Sequence, residues 1–180
     1  MTDLERAAAA RRTIGLIDLT DLSDDHAPDG IDDLCRRARE NHPAAVCVWP
    51  EYVATCAAQL AGSGVRVATV VNFPSGAEPI AEVEAATRRA LADGADDIDV
   101  VLPYEAFLAG DEQRAGAMVS ALAALVEAPQ VLKVILESGA LGSAETVGAA
   151  ARLAIDHGAD FVKTSTGKIP AGASLDAARS

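Results

Sequence analysis

Six short apolar runs rich in β-branched residues recur along this chain at near-regular intervals, at 14–19, 44–49, 66–73, 97–102, 131–137 and 161–164. Between them lie Ala-rich stretches with helical periodicity, at 29–41, 51–62, 78–93, 112–127 and 143–157, the last opened by Ser143 three residues before Thr146. Strand and helix therefore alternate, which calls for a parallel sheet joined by right-handed crossovers. The strand runs are nearly continuous in hydrophobicity rather than alternating, as expected when helices or a closed interior cover both faces. Half of the residues are hydrophobic but only 3% are aromatic, so the core is expected to be built from Ala, Val, Leu and Ile.

A weak internal repeat refines this α/β reading. Asp93-Gly94-Ala95-Asp96 leads into the fourth run and His157-Gly158-Ala159-Asp160 into the sixth, 64 residues apart, or two units of 32. In each copy the Gly is placed to end a helix in the left-handed conformation, so the motif reads as helix-to-strand loop chemistry and not as a ligand site. At about 30 residues per βα unit, a closed eight-unit barrel needs about 240. The 180 residues are therefore expected to form a single domain over 1–180 with six of the eight units of a TIM (β/α)8-type barrel, and 174–180 reads as the opening of a sixth helix. A complete six-stranded α/β domain is the alternative.

Charge and motif content narrow the function. With 15 basic and 27 acidic residues the formal charge is −12, and no Lys/Arg cluster or aromatic platform stands out, so nucleic acid is not an expected partner. No apolar run is long enough to cross a bilayer. Cys35, Cys47 and Cys56 match no zinc spacing, the N-terminus lacks a signal-peptide pattern, and a reducing cytoplasm is the expected setting. His26, His42 and His157 form no metal-ligand pattern, and neither a Walker loop nor a Gly-x-Gly-x-x-Gly fingerprint is present, so no metal or nucleotide cofactor is expected.

The informative positions are charges inside otherwise apolar strands, because burying a charge is unfavourable unless it is paired or used. The two-residue period puts Asp97 and Asp99 on one face of the fourth run, Lys133 and Glu137 on one face of the fifth, and makes Lys163 the sole charge of the sixth. These five are expected to converge near the C-terminal ends of the strands, where parallel α/β folds place their sites. A buried ion-pair network without chemistry is one reading. The other is an imine-forming lyase, in which Lys163 or Lys133, stripped of its proton, attacks a carbonyl while Asp99 moves protons. Two segments with Gly and hydroxyl residues, Asn72-Phe73-Pro74-Ser75-Gly76 and Lys163-Thr164-Ser165-Thr166-Gly167-Lys168, read either as anion cradles or as ordinary turns. Cys47 reads as a small core residue, and Trp49, Tyr52 and Tyr104 as packing or rim residues.

At these residues the chain resembles the deoxyribose-phosphate aldolase family. The resemblance rests on Ile17-Asp18-Leu19-Thr20-Asp21-Leu22, Ala45-Val46-Cys47-Val48-Trp49-Pro50, Val71-Asn72-Phe73-Pro74-Ser75-Gly76, Gly94-Ala95-Asp96-Asp97-Ile98-Asp99-Val100-Val101, Lys133-Val134-Ile135-Leu136-Glu137-Ser138-Gly139 and Phe161-Val162-Lys163-Thr164-Ser165-Thr166-Gly167-Lys168. It implies a class I aldolase of deoxyribonucleotide and carbohydrate breakdown. Such an enzyme reversibly cleaves 2-deoxy-D-ribose 5-phosphate to glyceraldehyde 3-phosphate and acetaldehyde, without a cofactor.

By position the resemblance makes Lys163 the Schiff-base lysine and Asp99 the acid/base that works with a water. Lys133 would line the pocket, Asp18 and Thr20 would help to bind the substrate, Cys47 would be counted with the pocket, and Lys168 would lie towards the phosphate. The family's further lysine before a Gly-Gly pair, and its eighth-strand loop, have no counterpart in these 180 residues. The 180 residues alone are therefore expected to have an open phosphate pocket and to show at most trace activity. A homo-oligomer is a further expectation. The competing functions are a non-catalytic domain that binds a small anion or a partner chain, and another imine-forming sugar-phosphate aldolase.

Overall fold

A computed structural model describes residues 2–25 and 29–180. Its six strands, β1 (Asp18–Asp21), β2 (Ala45–Val48), β3 (Arg66–Val71), β4 (Asp97–Val101), β5 (Val131–Ile135) and β6 (Phe161–Lys163), follow one another in a sheet in chain order. The chain divides into two compact units, one made of 1–69 and 90–96, the other of 70–89 and 97–180.

In the first unit β1, β2 and β3 pair in parallel, with Asp18 opposite Ala45, Thr20 opposite Cys47 and Cys47 opposite Ala68. Helix α1 (Asp3–Ile14) precedes them where a strand was expected from residue 14. The reason is local: Thr2 and Glu5 form a reciprocal capping box, and the run Ala7-Ala8-Ala9-Ala10 carries the helix through Ile14. Pairing with β2 begins only at Asp18. Helix α2 (Gly30–Asn41) buries Ile31, Leu34, Cys35 and Ala38, an i, i+3, i+4, i+7 stripe, and α3 (Val53–Leu60) buries Val53, Cys56 and Leu60. The thiols of Cys35 and Cys56 share a hydrogen bond inside this unit.

Helix α4 (Ile80–Ala92) spans the boundary between the units. In the second unit β4, β5 and β6 pair in parallel, flanked in sequence by α5 (Tyr104–Leu108), α6 (Glu112–Ala123), α7 (Ser138–Leu141) and α8 (Ala144–Asp156). Helices α5 and α7 are single short turns outside the expected set. Ser143 caps α8 by accepting from the Thr146 amide, as its spacing suggested, and Asp111 caps α6 by accepting from Arg114. Residues 177–179 make a 3-10 turn rather than an α-helical start. Phe161 and Val162 of β6 are exposed.

The Gly-Ala-Asp repeat performs the same task twice. Gly94 and Gly158 have φ of 100° and 102°, and a Cβ there would stand 2.9 Å from Ala57 Cβ and 2.8 Å from Ala123 Cβ. The following aspartates then grip the start of the preceding strand from both sides. The Asp96 amide donates to Val67 O and its carboxylate accepts from Val67 N (2.7 and 2.9 Å), while Asp160 does the same with Leu132 (2.9 and 2.8 Å). Among the described residues no helix is long and apolar enough to cross a membrane.

Candidate active site

The site is built in the second unit by the register of three strands. Asp99 faces Lys133, and Lys133 faces Phe161, in one row of the sheet, while Val101, Ile135 and Lys163 lie one row nearer the C-terminal ends. All of these side chains share one face by the two-residue period. Both lysines lean back by one row. Lys133 Nζ thereby lies 2.7 Å from Asp97 Oδ2 and 3.8 Å from Asp99 Oδ1, and Lys163 Nζ lies 2.5 Å from Asp99 Oδ2. The result is an alternating charge row, Asp97–Lys133–Asp99–Lys163, with two charges of each sign.

Burial along the row is graded. The side chain of Asp99 is fully buried, that of Asp97 4% exposed, that of Lys133 11% and that of Lys163 31%. Four of the five charges expected to converge therefore do so. Glu137 does not join the row. The strand period ends before it, because its backbone turns left-handed (φ 56°, ψ 59°) at the start of α7. Its Oε2 instead accepts from Thr166 Oγ1 at 2.5 Å and from the Thr166 amide at 3.2 Å.

The backbone around Lys163 continues the ladder beyond the strand ends. Leu102 N donates to Ile135 O, Leu136 N to Lys163 O at 2.9 Å, and Ser138 N to Thr164 O at 2.7 Å. Lys168 is exposed, and its amide donates to Thr166 Oγ1 at 3.1 Å. The Thr164–Lys168 stretch is thus a turn with internal order, whose link to Glu137 was not visible in the sequence: it depends on a backbone reversal at a residue that is neither Gly nor Asn.

The other candidate cradle is organised by its own backbone. Asn72, buried with φ of 55°, donates from Nδ2 to Val101 O at 2.8 Å and accepts the Glu78 amide on Oδ1 at 2.9 Å. Gly76, at φ 70°, lies so close to Leu102 O that a Cβ would stand 2.5 Å from it. These contacts fit the turn reading of 72–76. Tyr104, at the head of α5, has its phenol pushed up by desolvation, then by the charges of Glu105 and Glu137.

The remaining site candidates belong to the first unit. Asp18 is half-buried in β1, Thr20 is exposed with its hydroxyl donating to Asp18 O at 3.1 Å, and Cys47 is buried in β2 opposite Thr20. His42 ends α2 in a left-handed conformation, and His157 Nδ1 lies 2.7 Å from Ser120 Oγ; His26 falls outside the described residues. Among the described residues no cluster of His, Cys, Asp and Glu is placed to hold a metal.

Comparison with known proteins assigns the chain to a family. The family model described as DeoC/LacD family aldolase matches residues 13–180. A curated deoxyribose-phosphate aldolase from Agrobacterium fabrum is 47% identical over 173 residues, covering 94% of this chain and 67% of that protein. A Coccidioides immitis crystal structure assigned to deoxyribose-phosphate aldolase superposes with a TM-score of 0.87 at 34% identity, over 93% of this chain and 65% of that one. The tetrameric deoxyribose phosphate aldolase of Aeropyrum pernix gives 0.81 at 28% identity, over 92% and 69%. The chain thus spans about two thirds of the length of these relatives. The fold is of the (β/α)8-barrel type, with six parallel strands among the described residues. On the family match and the 47% identity together, this chain belongs to the DeoC/LacD family of aldolases.

Proposed function

We propose that the protein is a deoxyribose-phosphate aldolase that cleaves 2-deoxy-D-ribose 5-phosphate reversibly to glyceraldehyde 3-phosphate and acetaldehyde, through an imine on Lys163. The observation that carries this reading is the Lys163–Asp99 pair: an ammonium 2.5 Å from a fully buried carboxylate, with the lysine itself part open to a ligand. The geometry also separates the two lysines. Lys133 lies between two carboxylates and is nearly covered. Lys163 Nζ meets the Asp99 carboxylate, which can take its proton, and Lys163 is the more accessible of the two lysines.

The chemistry follows from these positions. The neutral Lys163 amine adds to the aldehyde carbon of the open sugar, and loss of water leaves a protonated imine. That cation draws electrons from the C2–C3 bond as Asp99, directly or through a water, removes the proton of the C3 hydroxyl. The bond breaks, glyceraldehyde 3-phosphate leaves, and the remaining enamine takes a proton on carbon before hydrolysis releases acetaldehyde and the lysine. Lys133 holds Asp99 in place and keeps a positive charge beside it. Lys168, exposed at the end of its turn, is suited to the sugar phosphate; Asp18, Thr20 and Cys47 are assigned to substrate binding.

The chain is read as one domain over 1–180 that supplies six of the eight βα units of the barrel, in line with its relatives' greater length. A homo-oligomer is proposed from the tetrameric relative, and a cytoplasmic setting from the free thiols of Cys35, Cys47 and Cys56. Acetaldehyde with borohydride tests the central step. In a protein that carries all eight βα units, reduction is expected to add an ethyl group to Lys163 and to leave Lys133 unmodified, whereas an adduct on Lys133, or none, rejects the assignment.

A further inference from the structure

We propose that Glu137 is a positioning residue that sets preference for the phosphorylated sugar by fixing the turn that carries Lys168. The inference rests on the reading above, in which Lys168 serves the phosphate. Glu137 is completely buried, yet it takes no part in the charge row. Its Oε2 receives both Thr166 donors, the hydroxyl and the amide, and the Thr166 hydroxyl oxygen in turn accepts the Lys168 amide. One carboxylate oxygen therefore fixes Thr166, and Thr166 fixes the backbone of Lys168 across Gly167, whose φ is 76°. The other carboxylate oxygen, Oε1, is buried and accepts no hydrogen bond from the described residues.

Two features separate this relay from ordinary packing. Glu137 holds a left-handed backbone conformation, which a Gly would adopt more easily, so the side chain is what the position gains. In addition, Lys163 is held without it. Its carbonyl accepts from Leu136, the next carbonyl accepts from Ser138, and its Nζ meets Asp99. Loss of Glu137 then loosens the turn that bears Lys168 while leaving the nucleophile in place. Substrate lacking a phosphate has nothing to gain from that turn, so the two halves of recognition come apart.

The test compares kcat and KM for 2-deoxyribose 5-phosphate and for 2-deoxyribose in the wild type, Glu137→Ala, Glu137→Gln and Thr166→Val, with circular dichroism and thermal unfolding of each. Glu137→Ala is expected to raise KM for the phosphorylated sugar about tenfold or more, the scale of losing hydrogen bonds to a charged group, with kcat and the unphosphorylated reaction little changed. Glu137→Gln is expected to stay near wild type, because its amide oxygen accepts both Thr166 donors. Thr166→Val, which keeps the amide but loses the hydroxyl, is expected to reproduce the KM effect and serves where Glu137→Ala does not fold. Equal loss on both sugars, or unchanged selectivity in Glu137→Ala and Thr166→Val, overturns the inference and leaves the aldolase reading standing. All variants are made in a protein that carries all eight βα units, and a wild type of that protein that cleaves neither sugar overturns both.

Discussion

Lys163 and Asp99 lie 64 residues apart on β6 and β4, with β5 between them, yet their charged groups meet at 2.5 Å because the lysine leans back one row of the sheet. The proton that Lys163 must shed therefore has an acceptor within hydrogen-bond reach. Asp99→Asn removes that acceptor but keeps the shape. In a protein that carries all eight βα units, steady-state cleavage of 2-deoxyribose 5-phosphate is expected to fall by about 10²–10⁴, the usual weight of a general base, while the variant still folds. Wild-type turnover in this variant would assign the proton transfers to another group.

The two clamping aspartates should be energetically equivalent. Asp96 and Asp160 each use one carboxylate oxygen and one amide to hold the first residues of the preceding strand. Asp96→Ala and Asp160→Ala are each expected to lower unfolding free energy by about 1–3 kcal/mol, measured by urea denaturation, through the buried amide left without its acceptor. The corresponding Asn variants, which keep a carbonyl acceptor, should lose less. Values below about 0.5 kcal/mol for the Ala variants would show that water replaces the clamp.

Much of this architecture was legible in the sequence because it follows from periods. Six apolar runs correspond to six parallel strands, and parity puts Asp97 with Asp99 on one face of β4, to which the register adds Lys133. The Gly-Ala-Asp repeat was read as loop chemistry and proved to be a strand clamp. What escaped depended on end effects and on side-chain reach. The capping box of Thr2 and Glu5 extended a helix over the expected start of the first strand. Parity carried Glu137 into the charge row, but one left-handed residue turned it towards Thr166. A strand pattern does not rank Lys163 above Lys133, because it encodes neither the lean of a side chain nor its exposure; that ranking comes from the family resemblance.

Alkaline pH should destabilise the first unit through its buried thiols. The Cys56 thiol is pushed up by its hydrogen bond with Cys35, by burial, and by the charge of Cys35, while the same hydrogen bond pulls the Cys35 thiol down, so the proton the folded pair retains at alkaline pH is the one on Cys56. A group whose folded pKa is raised contributes stability that is complete below its unfolded value and is lost as pH climbs towards the folded one. The unfolded thiol titrates near about 8.5, so stability should decline above that pH by about 1.4 kcal/mol per pH unit for this one proton. Urea midpoints measured from pH 7 to 10 should show the decline, and Cys56→Ala should flatten it. An unchanged slope in that variant would place the alkaline loss elsewhere.

The charge row makes the sharpest demand on double variants. Lys133→Met removes the ammonium that lies 2.7 Å from Asp97 and 3.8 Å from Asp99, and leaves two buried carboxylates facing one lysine. Removing one partner of a buried ionic group is expected to cost about 3–5 kcal/mol, since the remaining charge keeps its desolvation penalty. Asp97→Asn alone leaves two ammonium groups around Asp99, one of them more exposed, and should cost less. The combined Asp97→Asn/Lys133→Met chain keeps the Lys163–Asp99 pair and is neutral across the row, so it should recover most of the stability lost in Lys133→Met. A double-mutant cycle by urea denaturation gives the coupling directly. If the two losses simply add, Lys133 and Asp97 are energetically independent, and the row is a set of separate contacts rather than one compensated network.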